Sequence, residues 1–248
     1  MIKFLRHFRK KLLEENRFSK YLLYAIGEII LVVIGILIAL QINTWNEQKK
    51  SRRTERLYLS EIKSGLQSDS NQITDILAFN VEKVKIVKGL MGIFSDTLTN
   101  SQRFEMIDRY SVPFTDYQTF TPNRTAWKNL VASESLNLIQ DRELRTTLME
   151  YYDYDYASSV QERIRSMNRK VIDENYPRFF TKEYVLEKLQ ISTELPSLDE
   201  NQIYLNQTFL SDLYGIIYLI NVQNQGLQDT NTTIDKAVNL IDVQLKEL

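Results

Sequence analysis

Six consecutive residues, Tyr151 to Tyr156, form the densest group of side chains that could do chemistry, in the order Tyr-Tyr-Asp-Tyr-Asp-Tyr. Two carboxylates can act as an acid and a base, and phenol rings can line a ligand cleft or a partner contact. On a helix Tyr151 and Asp155 share one face. We therefore predict a ligand or partner face made of Tyr151, Tyr154 and Asp155. The alternative is that Tyr152 and Tyr156 are core residues and the aspartates are solvated.

Composition excludes several other kinds of site. The chain has no Cys, which rules out disulfides, zinc–thiolate sites and thiol nucleophiles. Its single His, His7, lies in a basic N-terminal segment, so a Ser-His-Asp triad elsewhere is impossible. The seven Gly residues form no phosphate-binding loop. We predict no catalytic residue, no metal and no cofactor; a hydrolase built on Asp153 and Asp155 is the weakest alternative.

One segment predicts a membrane-spanning helix. Tyr21 to Leu40 contains a single charged residue, Glu28, and its length matches the ~30 Å apolar core of a bilayer. We place the transmembrane helix at residues 21–43. A buried core helix is the alternative. A cleaved signal peptide is disfavoured, because Leu37 occupies the position where cleavage after Ala39 would require a small residue.

Charge is divided unequally along the chain. Residues 1–56 carry 12 basic and five acidic side chains, a balance of +7, whereas residues 57–248 carry 19 basic and 27 acidic, a balance of −8. The acidic balance disfavours nucleic acid as a partner. Seven Lys or Arg residues precede the span and five follow it closely. This asymmetry predicts a cytoplasmic N-terminus and a large C-terminal domain on the other side of the membrane.

Residues 1–20 have the pattern of a basic amphipathic arm. Apolar residues recur on one helical face at Phe4, Leu5, Phe8 and Leu12. The basic residues that point elsewhere are Lys3, Arg6, Arg9 and Lys10. Such a helix can lie on an anionic leaflet of the lipid bilayer. The alternative is that these charges only set the topology.

Polar and small residues share one line along the predicted span. Glu28, Gly35 and Ala39 lie within about 20° of a single line along the helix at 100° per residue. Small residues at this spacing let two helices approach closely in lipid, and a carboxylate can hydrogen-bond across such a contact. We predict a membrane helix contact at these residues. Alternatively, Glu28 snorkels to the interface and the small residues merely tolerate lipid.

Beyond the span, helical periodicity predicts an all-α domain. Residues 44–58 are rich in helix formers and predict a stalk, and residues 59–248 are assigned to an extracytoplasmic helical domain. From Leu59 to Phe94 apolar residues recur at alternating spacings of three and four, which indicates an amphipathic helix. Asp69 and Asn80 interrupt this pattern, and the helix could break between Gln67 and Gln72.

The rest of the domain predicts short helices and two longer ones. Residues 95–123 indicate a loop, with one short helix near 104–110, and further short helices are expected near residues 125–130, 135–139 and 181–189. Asp141 caps a predicted long helix that runs to about Asp173. The last helix starts at Asn206 with a seam like that of a coiled coil. We expect it to pack antiparallel to the Leu59–Phe94 helix.

The anchor and residues 126–152 resemble a known family. The motifs are Met1-Ile2-Lys3-Phe4, Tyr21 through Ile29, Gly35 through Asn43, Trp45-Asn46-Glu47, and Ala126-Trp127 through Leu130, Ser133, Leu136, Ile139 and Leu144 to Tyr151-Tyr152. The chain resembles an uncharacterised single-span inner-membrane family common in Bacteroidota. Members often have Gly after the serine, where this chain has Glu134. The resemblance implies a bacterial inner-membrane protein of unknown function, whose C-terminal domain would then be periplasmic, and it implies no catalytic residues.

Two functional hypotheses follow. In the first, the protein is a non-enzymatic membrane-anchored protein that self-associates or serves as an accessory subunit of a larger inner-membrane complex. Its partners are then the lipid bilayer and a second copy or another subunit. In the second, the periplasmic domain senses a ligand at the tyrosine-rich segment and signals through a partner. The short cytoplasmic arm has no output domain of its own, so the second hypothesis requires that partner.

Overall fold

A computed structural model describes residues 18–156 and 159–248, and over these two ranges it contains helices and connecting segments but no strand. The predicted all-α fold is confirmed. The amphipathic arm predicted from Lys3, Arg6, Arg9 and Lys10 lies outside the described residues. The chain divides into two compact units, Met1–Arg56 and Leu57–Leu248.

Eight α-helices occur in the part of the chain that the structure describes. They are α1 Phe18–Met91, α2 Asn100–Phe114, α3 Thr125–Ala132, α4 Arg142–Asp153, α5 Val160–Asn175, α6 Lys182–Leu189, α7 Leu198–Asn201 and α8 Gln207–Glu247. Short 3₁₀ turns lie between them at Gly92–Phe94, Ser135–Leu138, Tyr176–Phe179 and Ile203–Leu205. The predicted short helices are all present, and α2 is longer than the residues 104–110 expected for it.

Side-chain caps explain where three helices begin. The Asp141 carboxylate accepts the Leu144 N–H at 2.6 Å at the start of α4, and Asn206 does the same for α8. Thr181 caps α6 through its hydroxyl. Each cap satisfies a backbone N–H that has no partner within the helix. These starts match the sequence prediction.

Helix α1 is continuous, so the predicted break between Gln67 and Gln72 is wrong. Polar residues in this stretch have partners on other elements. Asp69 accepts hydrogen bonds from α4 and from the segment before α3, and the Ser70 hydroxyl donates to Asn231 of α8 at 2.7 Å. Because these polar groups are satisfied while helical, the helix need not open to solvate them. The same helix runs through residues 44–58, the predicted stalk.

Helices α1 and α8 pack antiparallel in the second unit, as predicted. Two side-chain hydrogen bonds fix the direction: Lys63 Nζ donates to Asp242 at 2.5 Å, and Asn80 Nδ2 donates to Gln223 Oε1 at 2.9 Å. The partner's residue number falls as the number along α1 rises. Helices α4 and α5 both pack on α8. The result is a helical bundle built around two long helices.

The second unit contains two apolar clusters along the α1–α8 pair. Leu59, Leu66 and Leu144 belong to one cluster, and Leu90 and Phe209 belong to the other. The polar residues that interrupt the apolar pattern of α1 are buried along the same pair: Asp69, Asn80 and Lys83. Buried polar groups require hydrogen-bond partners, which makes these positions sensitive to substitution.

The predicted single helix from Asp141 to about Asp173 is wrong, because the chain leaves the helical path between α4 and α5. At Tyr154 the backbone is extended, with φ −64° and ψ 131°. Asp155 follows in the connecting segment. The expectation that Tyr151 and Asp155 share a helical face is therefore also wrong.

Side chains satisfy carbonyl groups in this connection. Arg124 donates to the Tyr154 carbonyl at 3.0 Å. Gln161 and Ser159 donate to the Tyr156 carbonyl at 2.7 Å and 2.6 Å. These bonds replace the N–H partners that a continuous helix would supply. The break is therefore specified by residues of α3's N-terminal cap and of α5.

The turn after Ser133 forms although Gly is absent there. Glu134 has φ 53°, in the left-handed region where a side chain is disfavoured. Its N–H donates to the Val131 carbonyl at 3.0 Å. This chain thus makes with Glu a turn for which Gly is the easier residue.

Replacing Gly by Ala is expected to change stability in opposite directions at two positions, Gly89 and Gly226. A Cβ at Gly89 would lie 2.5 to 2.7 Å from three ring carbons of Tyr110, whereas one at Gly226 would meet no atom within 4 Å among the described residues. Gly89→Ala is expected to cost about 1–2 kcal/mol, because Tyr110 must move. Gly226→Ala is expected to stabilise by up to about 1 kcal/mol through helix propensity.

Thermal and urea unfolding of the full-length protein in detergent, followed by circular dichroism, checks this pair. Both variants replace Gly by Ala in the same detergent. The effects of the detergent and of the substitution on the unfolded chain are therefore the same for the two. Equal shifts for the two variants would contradict the close approach of Tyr110 to α1.

Candidate functional site

A pocket in the second unit lies where the connection between α4 and α5 meets α8. Its volume is about 560 Å³, within the range of small-molecule sites. Its aromatic lining residues are Phe120, Tyr151, Tyr154 and Tyr156, and its charged ones are Glu150, Arg163 and Asp229. Helix α8 supplies the opposite wall with Val222, Gln223, Gly226, Leu227, Thr230 and Thr233. The predicted tyrosine-rich segment therefore lines a cavity.

The structure brings together two of the three residues predicted for the ligand or partner face. Tyr151 is buried, with 2% of its surface exposed, and Tyr154 is 55% exposed; both line this pocket. Asp155 instead lines a neighbouring pocket of about 340 Å³. Phe120 and Tyr156 border both cavities. The break between α4 and α5 thus separates Asp155 from the other two.

Tyr151 is held by a buried carboxylate on α1. Its hydroxyl donates to Asp69 Oδ2 at 2.8 Å, and the Asn123 N–H donates to the two carboxylate oxygens at 2.9 and 3.1 Å. Asp69 is 3% exposed. Burial raises the pKa of Asp69, and the hydrogen bonds from Asn123 and Tyr151 partly oppose that rise. The carboxylate therefore fixes the position of the Tyr151 ring.

The phenols remain protonated at neutral pH. Burial raises the pKa of Tyr156 to about 12, and burial together with the nearby Asp69 raises the pKa of Tyr151 and Tyr152 further. A phenol in this state donates or accepts hydrogen bonds but does not act as a base near pH 7. The arrangement is suited to binding.

Aromatic contacts make a rigid wall. The Tyr156 ring centroid lies 5.1 Å from that of Phe120 and 4.6 Å from that of Tyr154, with the rings edge-to-face. Behind them Tyr152 stacks on Trp127 at 5.0 Å. Such pairs hold the rings in defined orientations. Tyr152 and Trp127 are both buried. For Tyr152, this agrees with the alternative interpretation of residues 151–156, in which it is a core residue.

Amide groups at the floor of the pocket are bonded to the protein. Gln161 donates to the Phe120 carbonyl at 3.1 Å as well as to Tyr156, and it accepts the Phe120 N–H. Gln223 accepts from Asn80 at 2.9 Å and donates to the Gln118 carbonyl at 3.1 Å. These groups build the floor and leave the ring surfaces as its main contact area.

The membrane helix contact predicted at Glu28, Gly35 and Ala39 lies within α1. An 18-residue window of this region has a mean hydropathy of 2.6 and no buried residue. By length and composition the helix is thus able to cross a membrane. Gly35 and Ala39 are exposed and Glu28 is half-buried. A Cβ at Gly35 would meet no described atom within 4 Å.

Possible metal ligands are not clustered. Across residues 18–156 and 159–248, no group of three or more His, Asp or Glu side chains is close enough to hold a metal ion.

These features define an all-helical protein with one candidate membrane span and a pocket in its larger unit. The chain belongs to the Family of unknown function (DUF6090), whose model matches residues 28–180. This match confirms the resemblance to an uncharacterised family, whereas the Bacteroidota and inner-membrane assignments stay predictions. No curated protein and no solved structure matches the chain.

Some residues of the site were not identified from the sequence. Asp69 lies 82 positions from Tyr151, and Gly226 and Thr230 belong to α8, which the sequence indicates only as a packing helix. One signal was present: Asp69 and Asn80 interrupt the apolar pattern of α1, as buried polar groups do. The family match ends at residue 180, so it does not extend to the α8 wall.

Proposed function

We propose that the protein is a non-enzymatic membrane-anchored protein that self-associates or serves as an accessory subunit of an inner-membrane complex. The observation that carries the proposal is the exposed apolar stretch of α1 with a polar and small-residue stripe on it. An apolar surface of this length is stable only in lipid or against another apolar surface. The stripe would let a second helix approach within the bilayer.

Disruption of the stripe is expected to weaken assembly. Gly35→Leu combined with Ala39→Leu adds bulk to the face that the proposal assigns to the contact. We expect dimerisation in detergent to weaken about tenfold, or ~1.4 kcal/mol. Analytical ultracentrifugation of the full-length protein at several protein-to-detergent ratios measures this change.

The matched control adds bulk to the opposite face. Val33 and Leu37 lie about 160° from Gly35 on the helix, so Val33→Leu with Leu37→Phe is expected to leave assembly unchanged. A wild-type protein that sediments as a monomer and co-purifies with no membrane partner would overturn the proposal.

The proposed orientation places the N-terminus in the cytoplasm and residues 57–248 in the periplasm. The excess of basic residues before the span supports it. Because the chain has no Cys, one introduced Cys is a unique labelling site. The Asn239→Cys variant is expected to react with a membrane-impermeant maleimide when only the outer membrane is permeabilised. The Arg9→Cys variant should react only after lysis, and the reverse pattern would invert the topology.

Ligand sensing is the second candidate function. It is favoured by one specific observation: Tyr151 and Tyr154, predicted for a ligand face, line a pocket of about 560 Å³. A ligand that binds only the folded protein raises its thermal stability. A thermal-shift screen of the full-length protein tests this candidate, and Tyr154→Ala should remove the shift without unfolding the protein, since Tyr154 is exposed.

A further inference from the structure

The pocket combines aromatic rings with polar groups whose hydrogens are already donated. The Tyr151 hydroxyl donates to Asp69, and the Ser159 hydroxyl donates to the Tyr156 carbonyl. The Gln161 and Gln223 amides donate to backbone carbonyls. The Tyr151 and Ser159 hydroxyls and the Gln161 amide therefore have little donor capacity left for a ligand, whereas the Gln223 amide keeps a second N–H and Arg163 adds donors at the rim. The hydroxyl oxygens still have lone pairs that can accept.

The α8 wall has the same bias toward acceptors. The Thr230 hydroxyl donates to the Gly226 carbonyl at 2.8 Å, and the Thr233 hydroxyl donates to the Asp229 carbonyl at 3.2 Å. The Thr230 hydroxyl also hydrogen-bonds with Tyr156, so the wall offers the Thr233 oxygen and one lone pair of Thr230 as acceptors. A ligand that brings its own N–H or cationic groups therefore fits this wall better than an acceptor does.

Charge at the pocket is also negative on balance. Glu150 and Asp229 line it together with one basic residue, Arg163. All three side chains lie in exposed residues, so they form the rim. Ring faces carry negative electrostatic potential and attract cations without a hydrogen bond. An anionic ligand would meet two carboxylates, whereas a cation is attracted by both the rim and the rings.

We propose that this pocket binds a small organic cation, an ammonium group with a compact apolar body. The ammonium group lies against the Tyr154 and Tyr156 rings near the rim carboxylates, and the apolar body contacts Phe120 and Leu227. The inference rests on the ligand-sensing candidate. It requires neither self-association nor the proposed membrane topology.

Matched cationic and neutral probes test the charge requirement. Choline and 3,3-dimethylbutan-1-ol have almost the same shape, but only choline is charged. Titration calorimetry of the full-length protein in nanodiscs is expected to show choline binding at least tenfold tighter than the alcohol. Benzylamine serves as a second cation with a larger apolar body. Equal affinity for choline and the alcohol, or no binding of either cation up to about 10 mM, overturns the inference.

Three variants locate the binding. Glu150→Gln with Asp229→Asn is expected to weaken choline binding about tenfold, whereas Arg163→Gln should strengthen it severalfold. Gly226→Leu places a side chain where a Cβ meets no described atom within 4 Å. It should abolish binding, and because Leu has the higher helix propensity its melting temperature should be equal to or above that of the wild type, which a thermal melt of the variant checks. Unchanged binding in Gly226→Leu overturns the location.

Fluorescence gives a second readout near the site. The chain has two Trp residues, so Trp45→Phe leaves Trp127 as the single reporter, stacked on Tyr152 behind the pocket wall. Saturable quenching by choline in this background supports the inference, and its absence alongside calorimetric binding overturns the site. If a neutral or anionic compound alone binds and Gly226→Leu removes its thermal shift, the cation inference fails while the ligand-sensing candidate stands.

Discussion

Lys83→Ala is expected to destabilise the second unit by about 2–4 kcal/mol. The Lys83 side chain is buried, and its ammonium group donates to the carbonyls of Phe114 and Asp116, the latter at 2.6 Å. Phe114 is the last residue of α2, whose terminal carbonyls have no helical partner. The substitution leaves the buried Phe114 carbonyl without this donor and opens a cavity.

The pH dependence of stability isolates the amine. Burial lowers the pKa of Lys83 to about 8, against a weaker opposing effect of Asp116. In the unfolded chain the pKa is near 10.5, so between pH 8 and 10.5 the unfolded state binds more protons. Stability therefore rises with pH across this window, by on the order of 3 kcal/mol. A neutral amine still has two N–H groups for its two acceptors.

Urea unfolding of the full-length protein in detergent at pH 7 to 10 measures how the free energy of unfolding changes with pH. Because other groups also titrate, the quantity of interest is the difference between the wild type and Lys83→Met, which cannot titrate at this position. Lys85→Met is the control, since Lys85 is exposed beside Glu82 on the same helix. Parallel pH profiles for the wild type and Lys83→Met would contradict the assignment of a buried amine.

Local sequence patterns predict most of the helices. The caps at Asp141, Thr181 and Asn206 and the alternating apolar spacing of α1 and α8 depend on residues a few positions apart. The antiparallel pairing follows because each long helix has one apolar stripe to bury. These features were predictable because their physical causes lie within the segment itself.

Features that depend on distant residues were not predictable in this way. The connection between α4 and α5 is stabilised by Arg124, 30 positions before the carbonyl it bonds. The continuity of α1 at Asp69 depends on Asn123 and Tyr151, 54 and 82 positions away. Helical periodicity depends on residues a few positions apart and therefore does not indicate such distant bonds. The sequence could therefore indicate that Asp69 is unusual, but not that it stabilises the helix.

One part of the pocket follows from a local pattern, and the other part depends on contacts between distant residues. The tyrosine-rich segment was identified from its composition alone, and Tyr151 and Tyr154 do line the pocket. Asp155 does not, because its placement beside Tyr151 assumed an unbroken helix. The wall formed by Gly226 and Thr230 becomes part of a site only through the packing of α4 and α5 on α8.

Asp69→Ala is expected to cost about 2–4 kcal/mol, whereas Asp69→Asn should be close to neutral or stabilising at pH 7. Alanine leaves the buried Tyr151 hydroxyl and the partly buried Asn123 N–H without this acceptor. Asparagine keeps an acceptor oxygen and removes the cost of burying a carboxylate. Unfolding of both variants in urea separates the loss of hydrogen bonds from the loss of charge.

The sign of the pH dependence identifies the carboxyl group. Because burial raises the pKa of Asp69, the folded state binds more protons than the unfolded state above pH 3.8. The stability that proton binding by Asp69 contributes is fully present below pH 3.8, and it is lost as pH rises through the pKa of Asp69 in the folded state. The stability of the wild type relative to Asp69→Asn should therefore fall with rising pH. Asp75→Asn, at an exposed position of the same helix, should show no such trend.

A double-mutant cycle then tests whether the carboxylate acts through Tyr151. Tyr151→Phe removes the hydroxyl that donates to Asp69, so the pKa of Asp69 should rise further. In the Tyr151→Phe background, the pH-dependent difference in stability between the protein with Asp69 and the protein with Asp69→Asn should therefore extend to higher pH. Asp69→Ala and Tyr151→Phe together should cost less than the sum of the single changes, by about 0.5–3 kcal/mol, because the second removes a group the first leaves unpaired. Additive costs would mean that Asp69 stabilises the fold independently of the pocket.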